Sequence, residues 1–355
     1  MRSRVRSLAF AALGNAGLLG TSSAQAPPIV WDKDYGGSNF EDLDFVLQTT
    51  DGGYISAGWS QSPVSGTKTQ PNWDPSNNTP DYWIVKSDPT GAVQWDRRFG
   101  GTNWETCGSI QQTTDGGYIL GGYSSSPISG NKSQAPKGLI DYWIVKLDGA
   151  GNQQWDKTYG GTSNDYLTRV IQTSDGGYLL CGFSESGVGA DRSESSRGAE
   201  DYWIVKTDAS GVKQWDHRFG GPQDDYAYHV VQTTDGGYLI SGTSASGAGG
   251  DKSQADRGPS NTMDYWVVKT DANGIKQWDK RFGTSDDDLC AMALQTADGG
   301  YILGGYSAGL VNGDRSVNSR GWYDFWLVKT DAAGIKQWDT RYGGSDIDYL
   351  FTMAI

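Results

Sequence analysis

The sequence is poor in the side chains that carry most protein chemistry. Its 355 residues include three cysteines, Cys107, Cys181 and Cys290, and two histidines, His217 and His229. That set cannot assemble a Cys/His metal cluster. Cys107 and Cys290 hold the same repeat position in non-neighbouring units, which places them too far apart for a disulfide. All three cysteines are expected as small buried hydrophobes. A Ser-His-Asp triad needs a placed histidine, and neither histidine has a repeat-breaking serine beside it. No segment has a helical period, and none after the first 26 residues is apolar for long enough to span a membrane. Positive charge is also scarce, with 29 Lys and Arg against 42 Asp and Glu and a net charge of -13. Such a surface repels nucleic acid and anionic membranes, so neither is an expected partner.

Glycine and tryptophan are abundant, at 51 and 15 residues. They are not scattered, which argues against a disordered glycine-rich chain. The signal Asp-Gly-Gly-Tyr recurs at Asp51, Asp115, Asp175, Asp235 and Asp298, a period of 60–64 residues. A fixed period of this size decides the architecture before any local reading does. In the third unit, Tyr166 to Thr173 reads as a strand, followed by a tight Asp-Gly turn and a second strand over 178–183. A Ser- and Gly-rich loop over 184–200 leads to a third strand, Tyr202 to Thr207. Its continuous apolar run predicts burial of both faces. A second tight turn at Asp208 precedes a fourth strand over 212–219, which ends at Gly220-Gly221.

Four short antiparallel strands per unit predict an all-β propeller of four-stranded blades. The approximate units are 38–101, 102–161, 162–221, 222–284 and 285–344. An orphan fourth strand, Trp31 to Gly37, precedes them, and a partial sixth unit, 345–355, follows. Six positions round the ring is the favoured count, with five or seven open, and a truncated longer array is the suspected origin. Residues 1–26 read as a secretory leader, with Arg2, Arg4 and Arg6, an apolar core and cleavage after Ala24. Residues 27–355 then form a single propeller domain, expected as a secreted or cell-surface monomer.

The series Gly176-Gly177-Tyr178, Asp201-Tyr202-Trp203-Ile204-Val205-Lys206, Asp208, Gly211, Trp215 and Phe219-Gly220-Gly221 resembles a large family of secreted and cell-surface β-propeller repeat proteins of bacteria and archaea. The resemblance covers residues 31–355. It implies a propeller fold and export, and it implies no single activity.

Three residue sets are candidates for roles. Trp31, Trp95, Trp155, Trp215, Trp278 and Trp338 recur in the fourth strand and are expected to pack between blades. Glu41, Glu105, Asp165, Asp225, Asp288 and Asp348 recur after each Gly-Gly pair and are read as a structural ring that accepts backbone N–H groups. Calcium is the alternative occupant of that ring, and no cofactor is otherwise expected. Trp59, Trp73, Trp104 and Trp322 break the repeat beside the long loops, where exposed aromatics stack on sugars. The loops also carry Lys68-Thr69, Lys132-Ser133, Arg192-Ser193, Lys252-Ser253 and Arg315-Ser316, whose cations are expected to pair with a neighbour's carboxylate. A phosphate-binding loop is excluded, because no spaced first glycine precedes these pairs and no helix follows. No catalytic residue is assigned. The expected function is therefore a non-catalytic binding or surface scaffold with a glycan or protein ligand on the long-loop face. A carbohydrate-active hydrolase or lyase using loop-face carboxylates is the alternative.

Overall fold

The computed structural model of the chain describes residues 31–259 and 262–354. The expected leader, residues 1–26, lies outside them. Twenty strands form five antiparallel four-stranded sheets, each in chain order, and no helix occurs among the described residues. The first sheet holds β1 (Glu41–Gln48), β2 (Tyr54–Ser60), β3 (Asp81–Ser87) and β4 (Val93–Phe99). The second holds β5 (Glu105–Gln112), β6 (Tyr118–Ser124), β7 (Asp141–Leu147) and β8 (Gln153–Tyr159). The third holds β9 (Asp165–Gln172), β10 (Tyr178–Ser184), β11 (Asp201–Thr207) and β12 (Lys213–Phe219). The fourth holds β13 (Asp225–Gln232), β14 (Tyr238–Ser244), β15 (Asp264–Thr270) and β16 (Lys276–Phe282). The fifth holds β17 (Asp288–Gln295), β18 (Tyr301–Ser307), β19 (Asp324–Thr330) and β20 (Lys336–Tyr342). The fold is all-β and propeller-like. Each sheet spans one repeat unit.

The orphan strand expected at Trp31–Gly37 does not form. It has no third strand to pair with, and a strand without a ladder leaves its backbone groups to water. Trp31 nevertheless packs edge-on against Tyr54, 5.2 Å between ring centroids.

Burial peaks in the third strands, where Trp83, Trp143, Trp203, Trp266 and Trp326 are all fully buried. The second, third and fourth sheets pack on a neighbour at both faces, so a third strand there cannot alternate apolar with polar. One cluster joins Ile55 and Ile84 of the first sheet to Leu120 and Trp143 of the second. A buried hydroxyl fastens each pair of sheets. Tyr82 Oη donates to the Trp143 carbonyl at 3.0 Å, and Tyr142, Tyr202 and Tyr265 repeat the bond to Trp203, Trp266 and Trp326. The fourth-strand tryptophans of the first four sheets lie beside the next sheet, as where Trp95 meets Tyr118 at 6.2 Å and Trp155 meets Tyr178 at 5.8 Å, whereas Trp338 of the fifth sheet is 45% exposed. Tyr142→Phe should cost about 1 kcal/mol in chemical denaturation, because the Trp203 carbonyl loses a donor inside a dry interface. No change in midpoint would show that the bond contributes nothing.

The two tight turns of a sheet share one end. At Asp175, Oδ1 accepts the Gly177 N–H at 3.0 Å, and Oδ2 pairs with Lys206 Nζ at 2.8 Å. Gly176 has φ +83, and a methyl on Gly177 would lie 2.2 Å from the Thr207 carbonyl oxygen, which is why the signal needs two glycines. This end is nearly identical in all five sheets. The opposite end carries the long loops and the sheet-to-sheet connections, and there the units differ.

Candidate functional site

Each sheet-to-sheet junction is built on two carboxylates and a Gly-Gly pair. The Asp that opens the third strand and the acidic residue that opens the next sheet converge over the first glycine. A methyl on Gly160 would lie 1.9 Å from Asp141 Oδ1 and 3.1 Å from Asp165 Oδ2. The second glycine donates its N–H to the second carboxylate: Gly101 to Glu105 at 2.8 Å, Gly161 to Asp165 at 2.7 Å and Gly221 to Asp225 at 2.7 Å. Serine hydroxyls complete the site, with Ser124 donating to Glu105 at 2.7 Å and Ser246 to Asp225 at 2.9 Å. Glu41 accepts from Ser60 and Ser62, and the half-buried Asp348 accepts the Gly344 N–H at 2.7 Å.

The departure at Gly283-Thr284 has a compensating partner. Thr284 donates both its N–H, at 2.6 Å, and its hydroxyl, at 2.8 Å, to Asp288. Gly309 stands where the other sheets have Ser62, Ser126, Ser186 or Ser246, and a methyl there would meet Thr284 Oγ1 at 2.2 Å. One hydroxyl is kept while its backbone origin moves from one side of the junction to the other.

The carboxylate pairs are strongly desolvated. Burial pushes Asp264 and Asp288 up to about 7, and Asp225 and Asp141 up to about 6. Oδ1 of Asp201, Asp225, Asp264 and Asp288 has no hydrogen-bond partner among the described residues. No group of three His, Cys, Asp or Glu side chains suited to a metal ion occurs among those residues either.

The loop cations are buried and do not chiefly pair with a neighbour's carboxylate, contrary to expectation. Lys68 Nζ donates to the Ser62 carbonyl at 2.8 Å, Lys252 to the Ser246 carbonyl at 2.7 Å, and Arg192 Nε to the Glu194 carbonyl at 2.9 Å. Partners from the cation's own loop are closer at hand, carbonyl oxygens for Lys68 and Arg192 and the Asp256 carboxylate as well for Lys252, and a buried charge must be met by such partners. Lys132 and Arg192 also lie 5.8 and 5.7 Å from the ring centroids of Trp143 and Trp203. The cation–hydroxyl pairs therefore serve as loop staples.

The repeat-breaking tryptophans do not gather at one point. Trp59 lies in β2, in register with Asp42 and Tyr82. Trp73 donates to Asn131 at 2.8 Å and has the Arg98 guanidinium 4.2 Å over its ring, so one face is taken. Trp104 donates to Thr106 at 2.9 Å, while Trp322 is 78% exposed.

A different aromatic set comes together at the loop end. Tyr123 meets Tyr166 at 5.1 Å, Tyr166 meets Phe183 at 5.2 Å, and Phe183 meets Tyr226 at 5.0 Å. The row arises from register, because Thr106 pairs with Tyr123 and Tyr166 with Phe183 across the first two strands. Acidic residues found only in particular units lie beside it. Burial and then Asp224 raise Glu200 to about 7. Farther round, Met263, Asp287, Leu289, Tyr306, Tyr323 and Tyr349 line a pocket of about 270 Å³. Sequence reading followed tryptophan and missed these tyrosines. Their signal was the alternation of aromatic and non-aromatic residues at two repeat positions, the second residue of the first strand and the sixth of the second.

No protein-family model matches the chain. Regulatory protein FlaEY of Caulobacter vibrioides is 26% identical over 261 residues. The match covers 69% of this chain and 24% of that protein, so the chain spans about a quarter of the relative's length. Among solved structures, hydrazine synthase of Kuenenia stuttgartiensis is similar at a TM-score of 0.48 and 9% identity, over 91% of this chain and 69% of that one. A Dyadobacter fermentans protein of unknown function is similar at 0.48 and 13%, over 84% and 81%. Likenesses of this order say nothing of activity.

Proposed function

We propose that the chain is a binding module of an exported propeller-like protein, holding a glycan or protein ligand at the long-loop end of its sheets without turning it over. One observation carries this reading. The departures from the repeat are concentrated at that end, as aromatic rings beside carboxylates, while the turn end is uniform. Aromatic faces and acidic acceptors at a rim suit sugar rings and basic side chains alike. The regulatory description of the Caulobacter relative supports a binding role. No helix among the described residues is long and apolar enough to cross a membrane.

A hydrolase is the second reading, and Glu200 favours it. A carboxyl raised to about 7 beside Asp224 has the protonation a general acid needs near neutral pH. A glycan array run beside a panel of chromogenic glycosides separates the two. The expected result is retention of at least one glycan, with no turnover, and a face that retains none is assigned to a protein ligand. Retention should fall at least tenfold in Tyr166→Ala and stay unchanged in Val212→Ala at the turn end. Turnover that disappears in Glu200→Gln would replace this reading with the hydrolase.

A further inference from the structure

The pocket at the fifth sheet has a narrower chemistry than the face around it. Tyr306, Tyr323 and Tyr349 stand at steep angles to one another. Their centroid separations are 5.5 Å for Tyr306–Tyr323, 4.6 Å for Tyr306–Tyr349 and 5.8 Å for Tyr323–Tyr349, with interplanar angles of 86°, 65° and 41°. Rings so arranged wall a concavity in place of filling it as a stack. Met263 and Leu289 supply apolar lining, and Asp287 supplies a carboxylate. That carboxylate is anchored, its Oδ1 accepting the Met263 N–H at 3.1 Å.

Elimination decides what such a box receives. No lysine or arginine lines it, so it has no countercharge for an anion. One carboxylate is far from the six to eight oxygens that calcium requires. A neutral sugar needs several converging donors and acceptors, and the only side-chain donors lining this pocket are the three tyrosine hydroxyls. At about 270 Å³ the cavity lies at the small end of ligand pockets, suited to a head group or a side-chain tip. Three aromatic walls with one carboxylate match a weakly hydrated organic cation. Ring faces attract its charge, and its alkyl groups need no hydrogen bonds. We propose that the Tyr306–Tyr323–Tyr349 pocket is an aromatic cage for an alkylated ammonium group, with Asp287 as counter-ion.

Two further observations agree. Burial, followed by Tyr349, Tyr323 and Asp287, raises the Tyr306 phenol, and burial followed by Asp287 raises Tyr323, so these rings are partly desolvated and the field around them is negative. The third wall is also peculiar to its unit: Tyr306 and Tyr349 hold the repeat positions of Tyr123 and Tyr166, whereas at the position of Tyr323 the second, third and fourth sheets have Ile140, Glu200 and Met263. At the position of Tyr306 the fourth sheet has Thr243, and at that of Tyr349 the fifth sheet's own first strand has Leu289.

The proposal rests on the loop end being the binding face, and the test separates the two claims. The full chain is titrated with choline and with trimethyl-lysine amide by calorimetry, with uncharged 3,3-dimethylbutanol as the neutral isostere of choline. Preference for choline assigns the cage to small molecules and head groups, and preference for the lysine derivative assigns it to a modified protein side chain. In either case Tyr306→Leu and Asp287→Asn should weaken binding at least tenfold. Tyr306→Phe should retain it, because the ring face remains, and melting curves confirm that each variant folds. Equal binding of the neutral isostere, full binding in Tyr306→Leu, or no binding of either cation overturns the cage. If glycan-array retention still depends on Tyr166, only the cage falls. If that dependence is lost too, both claims fall.

Discussion

Gly221→Thr should destabilise the protein by about 3 kcal/mol, and adding Ser246→Gly should restore most of it. A methyl on Gly221 would lie 2.5 Å from Ser246 Cβ and 2.7 Å from its Oγ, in a junction with no room to yield. Overpacking a close-packed interior costs roughly 1–3 kcal/mol, and a branched hydroxyl residue belongs at the upper end. The double variant recreates what the protein already contains at Thr284 and Gly309, where the threonine hydroxyl reaches Asp288 at 2.8 Å. In the native junction of the third and fourth sheets Ser246 reaches Asp225 at 2.9 Å, so the hydroxyl–carboxylate bond survives the exchange. The measurement is a double-mutant cycle in urea. A coupling energy of about 2 kcal/mol is expected, within the range for residues in contact. Additive effects would mean that the Thr284–Gly309 pairing is coincidence and that the two positions do not share one space.

The repeat made the sheets legible because its signals are local. The Asp-Gly turns, the two-faced apolar run at Tyr202–Val205 and the Gly-Gly stops each act within a few residues. They placed β11 to within one residue of its observed start at Asp201. What joins the sheets acts across about sixty residues and left a fainter trace. The Tyr142 hydroxyl meets Trp203, and nothing near either residue announces the other. The hint was comparative: Tyr82, Tyr142, Tyr202 and Tyr265 hold one repeat position, and Phe325, without a hydroxyl, replaces them in the fifth sheet. The buried loop cations were misread for a related reason. Charge suggests solvent or a countercharge, whereas Lys68 and Arg192 donate to carbonyls of their own loop, a geometry that composition does not encode. The tyrosine pocket was illegible because Met263, Asp287, Tyr306, Tyr323 and Tyr349 come from different strands and connections of adjoining units.

Acidification from pH 8 to pH 5 should stabilise the protein, raising its melting temperature by on the order of 5 °C. The junction carboxylates cause this. Asp81, Asp264 and Asp288 are held near 7, and Asp141 and Asp225 near 6, in each case chiefly by burial, against an ordinary value of 3.8. A carboxyl whose folded pKa is raised binds its proton more tightly in the folded chain. Its contribution to stability is complete below 3.8 and is lost as pH rises through the folded value. The window for the gain is therefore pH 8 down to 5. Protonation also supplies a donor where Oδ1 of Asp264 and Asp288 have no partner. Three sets of groups act the other way. Burial lowers Lys68 and Lys132 to about 8, so the end of their protonation just below pH 8 slightly favours the unfolded chain. Burial lowers His229 to about 3, so the folded chain resists its protonation as pH falls below 6.5. The turn aspartates Asp51, Asp115, Asp175 and Asp235 are held near 2 and withdraw their support only below about pH 4. Several raised carboxyls outweigh one histidine, since each unit of pKa displacement is worth about 1.4 kcal/mol. The profile should climb from pH 8 to pH 5 and fall toward pH 2. In Asp264→Asn the rise should shrink, because a neutral amide removes one of the two carboxyls raised to about 7 in its junction without removing its bulk. A flat or descending profile between pH 8 and pH 5, or an undiminished rise in Asp264→Asn, would mean that these carboxylates stay ionised in the junctions, held there by the buried lysines and arginines.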